Sequence, residues 1–167
     1  MAITKIIAIR DRLDKRVNYV VNSEKTSLDA SVLYAVNPEK TEQSFFTAVL
    51  NCESVQTAYA EMADTKKRWN KTGGVLGYHF IQSFAPGEVT PEQAHRIGVE
   101  FARELFGDRY EVVIGTHLDK AHLHNHIIVN SVSFRDGSKY HSSAGSYFFQ
   151  VRKTSDELCR ENKLSIV

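Results

Sequence analysis

The sequence predicts an α+β domain, with a central antiparallel sheet and helices packed mainly on one face of it. Three observations lead to this fold class. Strand-like and helical runs follow the order βα(β)αβαββα, two strand-like runs are separated only by "LDKA", and a well-marked helix comes directly before that pair. Runs joined so tightly predict an antiparallel hairpin. With 167 residues, 42% of them hydrophobic, the chain has the size of one globular domain, spanning 1–167.

The N-terminal half is predicted to begin with a strand, "TKIIAIR" (4–10), and a short helix, "DRLDKRVNYVVN" (11–22). The helix starts behind an aspartate cap at Asp11 or a little later and places Tyr19 near its end. Its apolar residues stand at helical spacing: Leu13, Val17, Val20 and Val21. Three further elements are predicted before residue 85: a short strand at 31–36, one long helix at 44–69 ended by Gly73 and Gly74, and a strand at 77–84.

The C-terminal half opens with the helix at 90–107, which has Thr90 at the cap, Pro91 at its first position and Gly107 at its stop. The predicted hairpin follows, and the last elements are a turn and a closing helix. These runs are "RYEVVIGTH" (109–117), "HLHNHIIVNSVSF" (122–134), "DGSKY" (136–140) and "SYFFQVRKTSDELCRENK" (146–163).

Composition narrows the class of protein. The net charge is +1, so binding to nucleic acid would depend on local clusters and a metal rather than on a strongly basic chain. Cys52 and Cys159 are far apart and lack metal-site spacing, which argues against a disulfide framework or a cysteine zinc site. The N-terminal segment lacks the apolar run of a signal peptide or a membrane span. We therefore expect a cytoplasmic protein without membrane insertion.

Four of the seven histidines lie in "HLDKAHLHNHIIVN" (117–130). Alternate side chains of a strand share a face, so His122, His124 and His126 are expected to project together, with His117 at the end of the neighbouring strand. Imidazole is the commonest nitrogen ligand of metals. The spacing therefore predicts a metal site, and three histidines leave coordination positions open for a substrate.

Other interpretations of these residues stay open. The strand could be solvent-facing and merely rich in histidine, or the site could be a closed zinc site without catalysis. Asp119 is a candidate partner that fixes the tautomer of a ligating histidine, or else a turn residue. His79 could line the same face or pack in the core. His95 and His141 receive no role.

The motif H-x-D-x4-H-x-H-x3-N, with "YHFIQSFAPGEVTPEQA" and "YVVNSEKT" before it, resembles the single-tyrosine relaxases (mobilisation nucleases) of conjugative and mobilisable elements, within the HUH endonucleases. The resemblance implies an HUH-relaxase-like fold. It implies that His117, His124 and His126 hold one divalent metal, and that His122 is a neighbour rather than a ligand. Its remaining implications are Tyr19 as nucleophile, Ser83 as a residue that positions DNA, and Asp119 as support for the metal histidines.

One departure from the family pattern is Asn125, which stands where a hydrophobic residue is usual. Its side chain points to the other sheet face, so it should affect packing more than metal binding. The metal would be manganese or magnesium by resemblance, whereas three imidazoles suit zinc or nickel by ligand type.

The chemistry can be argued from the residues themselves. A tyrosine hydroxyl, with a reference pKa near 10, is a poor nucleophile at neutral pH. A metal held by histidines can polarise the scissile phosphate and offset the charge of the transition state. Attack by Tyr19 would leave a covalent 5′-phosphotyrosine and a free 3′-OH, and the reverse step would rejoin the strand. Considered alone, a tyrosine placed as Tyr19 is usually a packing residue, and Tyr78 is the second tyrosine to test.

Two basic segments are candidates for contact with DNA. "KKRWNK" (66–71) combines cations with the one tryptophan, a mixture that suits phosphate neutralisation and base stacking; a solvated helix end is the alternative. The residues concerned are Lys66, Lys67, Arg68 and Trp69, together with Lys15, Arg16 and Lys25 beside the tyrosine helix.

These inferences predict a metal-dependent enzyme that nicks and rejoins one DNA strand at an origin of transfer. Its partners would be single-stranded or hairpin DNA and accessory relaxosome and coupling proteins, and the chain would be the N-terminal portion of a longer protein. Two alternatives are a rolling-circle replication initiator or transposase of the HUH superfamily, in which the tyrosine typically follows the histidines, and a non-catalytic, metal-stabilised DNA-binding module.

Overall fold

The computed structural model describes residues 2–22, 26 and 46–166, and the strands of these residues form one five-stranded antiparallel sheet. The spatial order is β1-β3-β5-β4-β2. The strands are β1 (Ile3–Ile9), β2 (Thr47–Leu50), β3 (Gly77–Ser83), β4 (Val112–His117) and β5 (His124–Asn130). The α+β class and the antiparallel sheet are therefore confirmed. The predicted hairpin is also confirmed, since β4 pairs with β5 and His117 lies opposite His124.

The helices are α1 (Leu13–Val20), α2 (Ala58–Arg68), α3 (Pro91–Phe106) and a C-terminal helical segment made of α4 (Ala144–Ser146), a π-helical stretch (Tyr147–Arg152) and α5 (Lys153–Glu161). The predicted cap of α3 is confirmed, because the Thr90 side chain accepts a hydrogen bond from the backbone N–H of Gln93. The predicted cap of α1 is wrong. Arg12 precedes that helix and makes no side-chain cap bond; its guanidinium instead pairs with Asp14.

Residues 46–69, the described part of the predicted helix at 44–69, do not form one long helix. They contain β2, a turn and the shorter α2. The physical reason lies in the sheet: without β2, the backbone of β4 would have one unpaired edge, and Thr47 pairs there with Gly115. The strand predicted at 31–36 lies outside the described residues.

Helices cover both faces of the sheet, which corrects the expectation that they pack mainly on one. On the face that we call the α3 face, α3 and α5 pack against Phe80, Ile114 and Ile127. On the opposite face, α1 and α2 pack against Val113 and Ile128. Both faces need cover because the two central strands of the hairpin are buried on each side. We call the second face the histidine face.

Within the described part of the chain, no helix combines the length and the apolar character required to cross a bilayer.

Candidate metal centre and nucleophile

The histidine face brings together three of the predicted metal ligands. Strand alternation on β4 and β5 points His117, His124 and His126 to this side. The ring centres of His117 and His126 are 4.1 Å apart, and those of His124 and His126 are 5.8 Å apart. His122 precedes β5 and is exposed, with its ring 4.5 Å from that of His124. The hairpin therefore clusters the imidazoles as the sequence predicts.

The three side chains do not stand in a preformed coordination geometry. Among the described residues, no group of three His, Cys, Asp or Glu side chains is arranged to hold a metal ion. One cause is visible at His117, whose Nε2 donates a hydrogen bond to the carbonyl oxygen of Val20 over 3.1 Å. Coordination through this nitrogen would require that bond to break.

The donor set nevertheless fits a divalent metal. The Nδ1 of His124 is buried and has no hydrogen-bond partner in the described structure. A buried nitrogen of this kind costs free energy unless something binds it. Its neighbours His117 and His126 are imidazoles of the same ligand type.

His126 is held from behind by a second histidine. Its Nδ1 lies 2.9 Å from the Nε2 of His79, a residue of β3 that is 3% exposed. When His126 uses Nε2 as a metal ligand, its hydrogen must sit on Nδ1 and be donated to His79. His79 then carries its own hydrogen on Nδ1, which has no partner among the described residues. A ligand at His126 and the tautomer of His79 are therefore coupled.

Burial favours the neutral form of three of these histidines, His79, His124 and His126. Burial, with the charge of Arg16 and His117 as smaller causes, lowers the pKa of His79 to about 4. Burial and the neighbouring histidines lower the pKa of His126 to about 2. The pKa of His124 is lowered too, first by burial and then by His122 and Lys120. Neutral imidazoles keep the lone pairs that a metal needs.

Tyr19 lies directly beside the clustered histidines. Its ring centre is 5.1 Å from that of His117 and 5.5 Å from that of His126, in edge-on arrangements. The residue stands on the last turn of α1 and is 43% exposed. Tyr78, by contrast, is buried on the α3 face, where its hydroxyl donates to the carbonyl oxygen of Tyr140 over 3.3 Å. The geometry therefore favours Tyr19 over Tyr78.

Gly115 makes the position of Tyr19 possible. It lies on β4 opposite His126, and a Cβ atom added there would overlap the carbonyl oxygen of Val20. Only a residue without a side chain lets the end of α1 approach the sheet this closely. The sequence contains the glycine, but this role depends on a contact between distant segments and was not predicted.

The other predicted site residues that the structure describes lie in the turn, the strand and the helix next to the histidines. Asp119 is exposed in the turn between β4 and β5, and its charge acts on His124 and His126. Ser83 pairs with His124 in the sheet and lines a cleft with His122. Lys15 and Arg16 are exposed on α1, and Lys25 lies outside the described residues.

The segment 66–71 lies at the other end of the sheet from His117 and His124. Lys66 is a correction to the predicted DNA contacts, because it is 4% exposed and donates to the side-chain oxygen of Asn130. Burial lowers its pKa to about 8. Trp69 packs against Gly137 and stays 36% exposed. Lys67 and Arg68 remain on the surface.

Comparison with known proteins bears on the family and the fold of the chain. The family model of the relaxase nuclease domain, described as MobA/VirD2-like, matches residues 34–164. That range contains the three clustered histidines but not Tyr19. Across the whole chain, the fold is similar to that of a solved structure described as "Molecular Basis of Vancomycin Resistance Transfer in Staphylococcus aureus", with a TM-score of 0.57, 12% identity, and coverage of 99% of this chain and 96% of that one.

Curated relatives are similar over part of their length. The chain is 43% identical over 117 residues to "Protein rlx" of Staphylococcus aureus, which is 70% of this chain and 36% of that protein. It is 49% identical over 71 residues to "Group II intron-interrupted relaxase LtrB" of Lactococcus lactis subsp. cremoris (strain MG1363), which is 42% of this chain and 13% of that protein. The chain therefore spans about a third or less of the length of these relatives.

Proposed function

The chain belongs to the MobA/VirD2-like family of relaxase nuclease domains, and from this premise we propose that it cuts one DNA strand with Tyr19 as the nucleophile. The cut would fall at an origin of transfer, and a divalent metal at His117, His124 and His126 would assist it. One observation carries the proposal: the exposed ring of Tyr19 lies within 5.5 Å of the rings of two of these histidines.

The step that Tyr19 performs is a transesterification. Its phenolic oxygen forms a bond to phosphorus, the bond from phosphorus to the 3′ oxygen breaks, and the phenolic proton leaves while the 3′ oxygen gains one. The products are a 5′-phosphotyrosine and a free 3′-OH, so the reverse attack rejoins the strand. When bound, the metal supplies Lewis-acid stabilisation of the phosphate charge.

The surrounding side chains have positioning roles in this proposal. His79 holds His126 through its Nδ1, and Gly115 lets α1 bring Tyr19 onto the histidine face. The carboxylate of Asp119 acts on His124 and His126 and favours their binding of a cation. Lys15 and Arg16 project from the tyrosine helix, where they can neutralise phosphates on either side of the cut.

The proposal extends to the partners of the reaction. The substrate would be single-stranded or hairpin DNA at the origin, and accessory relaxosome and coupling proteins would act with the full-length protein in the cytoplasm. The metal would be manganese or magnesium, with zinc or nickel as the alternatives that imidazole ligands suit.

Replacement of Tyr19 by phenylalanine tests the proposal, with Tyr59→Phe as the matched control. Both tyrosines are similarly exposed, at 43% and 44%, but Tyr59 lies on α2 away from the histidines. The protein is mixed with manganese and single-stranded oligonucleotides tiled across the non-coding DNA beside its gene, and adducts are separated on a denaturing gel.

We expect the unmodified protein and Tyr59→Phe to form a covalent adduct, mapped to Tyr19 by mass spectrometry. Tyr19→Phe should bind the same strands without forming one. An adduct that persists in Tyr19→Phe would contradict the assignment of the nucleophile. Binding of metal and DNA without any adduct in the unmodified protein would favour the non-catalytic DNA-binding module.

A further inference from the structure

A cleft of about 380 Å³ opens beside the clustered histidines. Two of its lining residues adjoin a proposed metal ligand: Ser83 lies opposite His124 in the sheet, and the ring centre of His122 is 4.5 Å from that of His124. Ile3 lies opposite Ser83, and residues directly opposite each other share a face of the sheet. The cleft is therefore continuous with the candidate metal centre on the histidine face. Its lining residues are Ile3, Ser83, Phe84, Ala85, Pro86 and His122.

The walls of this cleft suit a flat, uncharged group. Ile3 is 54% exposed and Pro86 is exposed as well, so apolar surface faces water beside the site. Among the described residues that line the cleft, none carries a carboxylate, an ammonium or a guanidinium group. The Ser83 hydroxyl and the His122 imidazole supply polar atoms. An unpaired nucleobase combines a flat face with a polar edge, and histidine rings are among the side chains on which such bases stack.

The cleft and Tyr19 lie on opposite sides of the histidines. Tyr19 contacts the rings of His117 and His126, and the end of its helix lies over Gly115 on β4. The cleft lies across β5 from there, at the ends of β1 and β3. In a displacement at phosphorus, the attacking and leaving oxygens stand roughly in line. When Tyr19 attacks from the β4 side, the leaving 3′ oxygen therefore departs towards the cleft.

We propose that the cleft binds the base of the nucleotide whose 3′ oxygen leaves, with the His122 ring stacked on that base. The proposal rests on the function proposed above, because it needs the scissile phosphate at the histidines and Tyr19 as the nucleophile. It gives His122 a contact with DNA in place of one with the metal. After the cut no covalent bond holds this 3′ end, so the cleft keeps its hydroxyl next to the phosphotyrosine for the reverse attack.

Short strands that end in a 3′-phosphate test this role, because they present the proposed base and phosphate without a bond to cut. Each probe is about ten nucleotides long and carries fluorescein at its 5′ end. It is thymidylate except at the last nucleotide, which bears one of the four bases or none. A second series has the variable nucleotide first, with a 5′-phosphate and fluorescein at the 3′ end, and represents the nucleotide that stays on Tyr19. Binding is followed by fluorescence anisotropy with manganese present.

His122 should decide whether the terminal base matters. In the unmodified protein, we expect the best of the four bases to bind about tenfold more tightly than the abasic 3′-phosphate strand. His122→Phe keeps a flat ring and should retain this difference, whereas His122→Ala should reduce it to less than about twofold. His141→Ala removes an exposed imidazole elsewhere and, as the matched control, should show the full difference. In the 5′-phosphate series, His122→Ala should leave binding unchanged.

Three results would overturn the role of the cleft. The first is a 3′-phosphate series in which the base has no effect in the unmodified protein, or the same effect in His122→Ala. The second is an effect of His122→Ala on the 5′-phosphate series alone, since the cleft would then hold the other nucleotide. The third comes from calorimetric titration with manganese alone: a large loss of affinity in His122→Ala would make His122 a metal ligand, whereas an unchanged affinity supports its place in the cleft.

The adduct assay distinguishes failure of the cleft from failure of the proposed function. A protein that forms the adduct at Tyr19, but in which the terminal base has no effect that depends on His122, overturns the cleft alone. A protein that binds neither manganese nor the probes and forms no adduct overturns both proposals.

Discussion

Both faces of the strands β3, β4 and β5 carry neighbouring polar residues, but the two faces differ in whether the polar atoms of these residues are hydrogen-bonded. On the α3 face, Thr116 and Asn125 are fully buried and hydrogen-bonded to each other over 2.7 Å. On the histidine face, His117 follows Thr116 on β4 and His124 precedes Asn125 on β5, so that the two histidines lie opposite each other. The buried Nδ1 of His124 has no partner in the described structure. The polar side chains of the α3 face, Thr116, Asn125 and Gln82, form hydrogen bonds with one another, and we call them the closed set. The histidine face keeps a buried nitrogen that is able to bind a ligand.

The closed set links two helices across three strands. The Asn125 amide donates to the Gln82 side chain over 3.0 Å and to the carbonyl oxygen of Ala94 over 2.7 Å. Gln82 in turn donates to Ser155 on α5 over 2.9 Å. The expectation that the Asn125 side chain points to the face opposite the histidines is confirmed, and α3 approaches it so closely that a Cβ on Gly98 would stand 2.5 Å from its amide. The comparison predicts that changes on one face alter activity and changes on the other alter stability.

The largest expected effect is on the histidine face. His126→Gln removes the proposed metal ligand that contacts both His79 and the ring of Tyr19. We expect the rate of adduct formation to fall by about 10²–10³-fold, as for the loss of one preorganised electrostatic group, with the protein still folded. The measurement is the initial rate of the adduct assay with manganese.

His95→Gln is the control on the other face. His95 lies on α3, and its Nδ1 donates to the hydroxyl of Thr116 over 2.9 Å. Its replacement should leave the adduct rate within about tenfold of the unmodified protein, because its ring contacts Thr116 and Phe46 rather than the clustered histidines. Equal losses in the two variants would show that the faces do not differ in function.

The next effect is on the free energy of unfolding. Asn125→Leu leaves Gln82, Thr116 and the Ala94 carbonyl group without their buried partner, and we expect a loss of about 3 kcal/mol. Ile127→Leu, on the same strand and face, is the matched apolar exchange and should cost less than about 1.5 kcal/mol. Urea unfolding measures both. A loss no greater for Asn125→Leu than for Ile127→Leu would mean that the network contributes little.

The sequence could predict the elements that carry their own local signals. Alternation along β5 was enough to separate His124 and His126 from Asn125, and Thr90 with Pro91 was enough to locate α3. The bond between His79 and His126, and the approach of α1 over Gly115, depend on pairing between distant strands that no local pattern encodes. For the same reason the DNA contact predicted for Lys66 from its basic neighbours was wrong, because its burial depends on a hydrogen bond to Asn130, 64 residues away.

The smallest effect concerns the neutrality of the histidine face in the metal-free protein. The pKa of His79 is about 4 in the fold and about 6.5 in an unfolded chain. Below pH 6.5 the unfolded chain therefore binds a proton that the folded chain does not, and stability falls as pH falls. Between pH 8 and pH 5 this one residue should lower the free energy of unfolding by about 2 kcal/mol, which His79→Asn should remove. His141→Asn, at a residue exposed in the fold, should leave the pH profile parallel to that of the unmodified protein. If His79→Asn also runs parallel, then His79 accepts a proton in the fold at the same pH as in the unfolded chain, and its surroundings contain more water than its burial indicates.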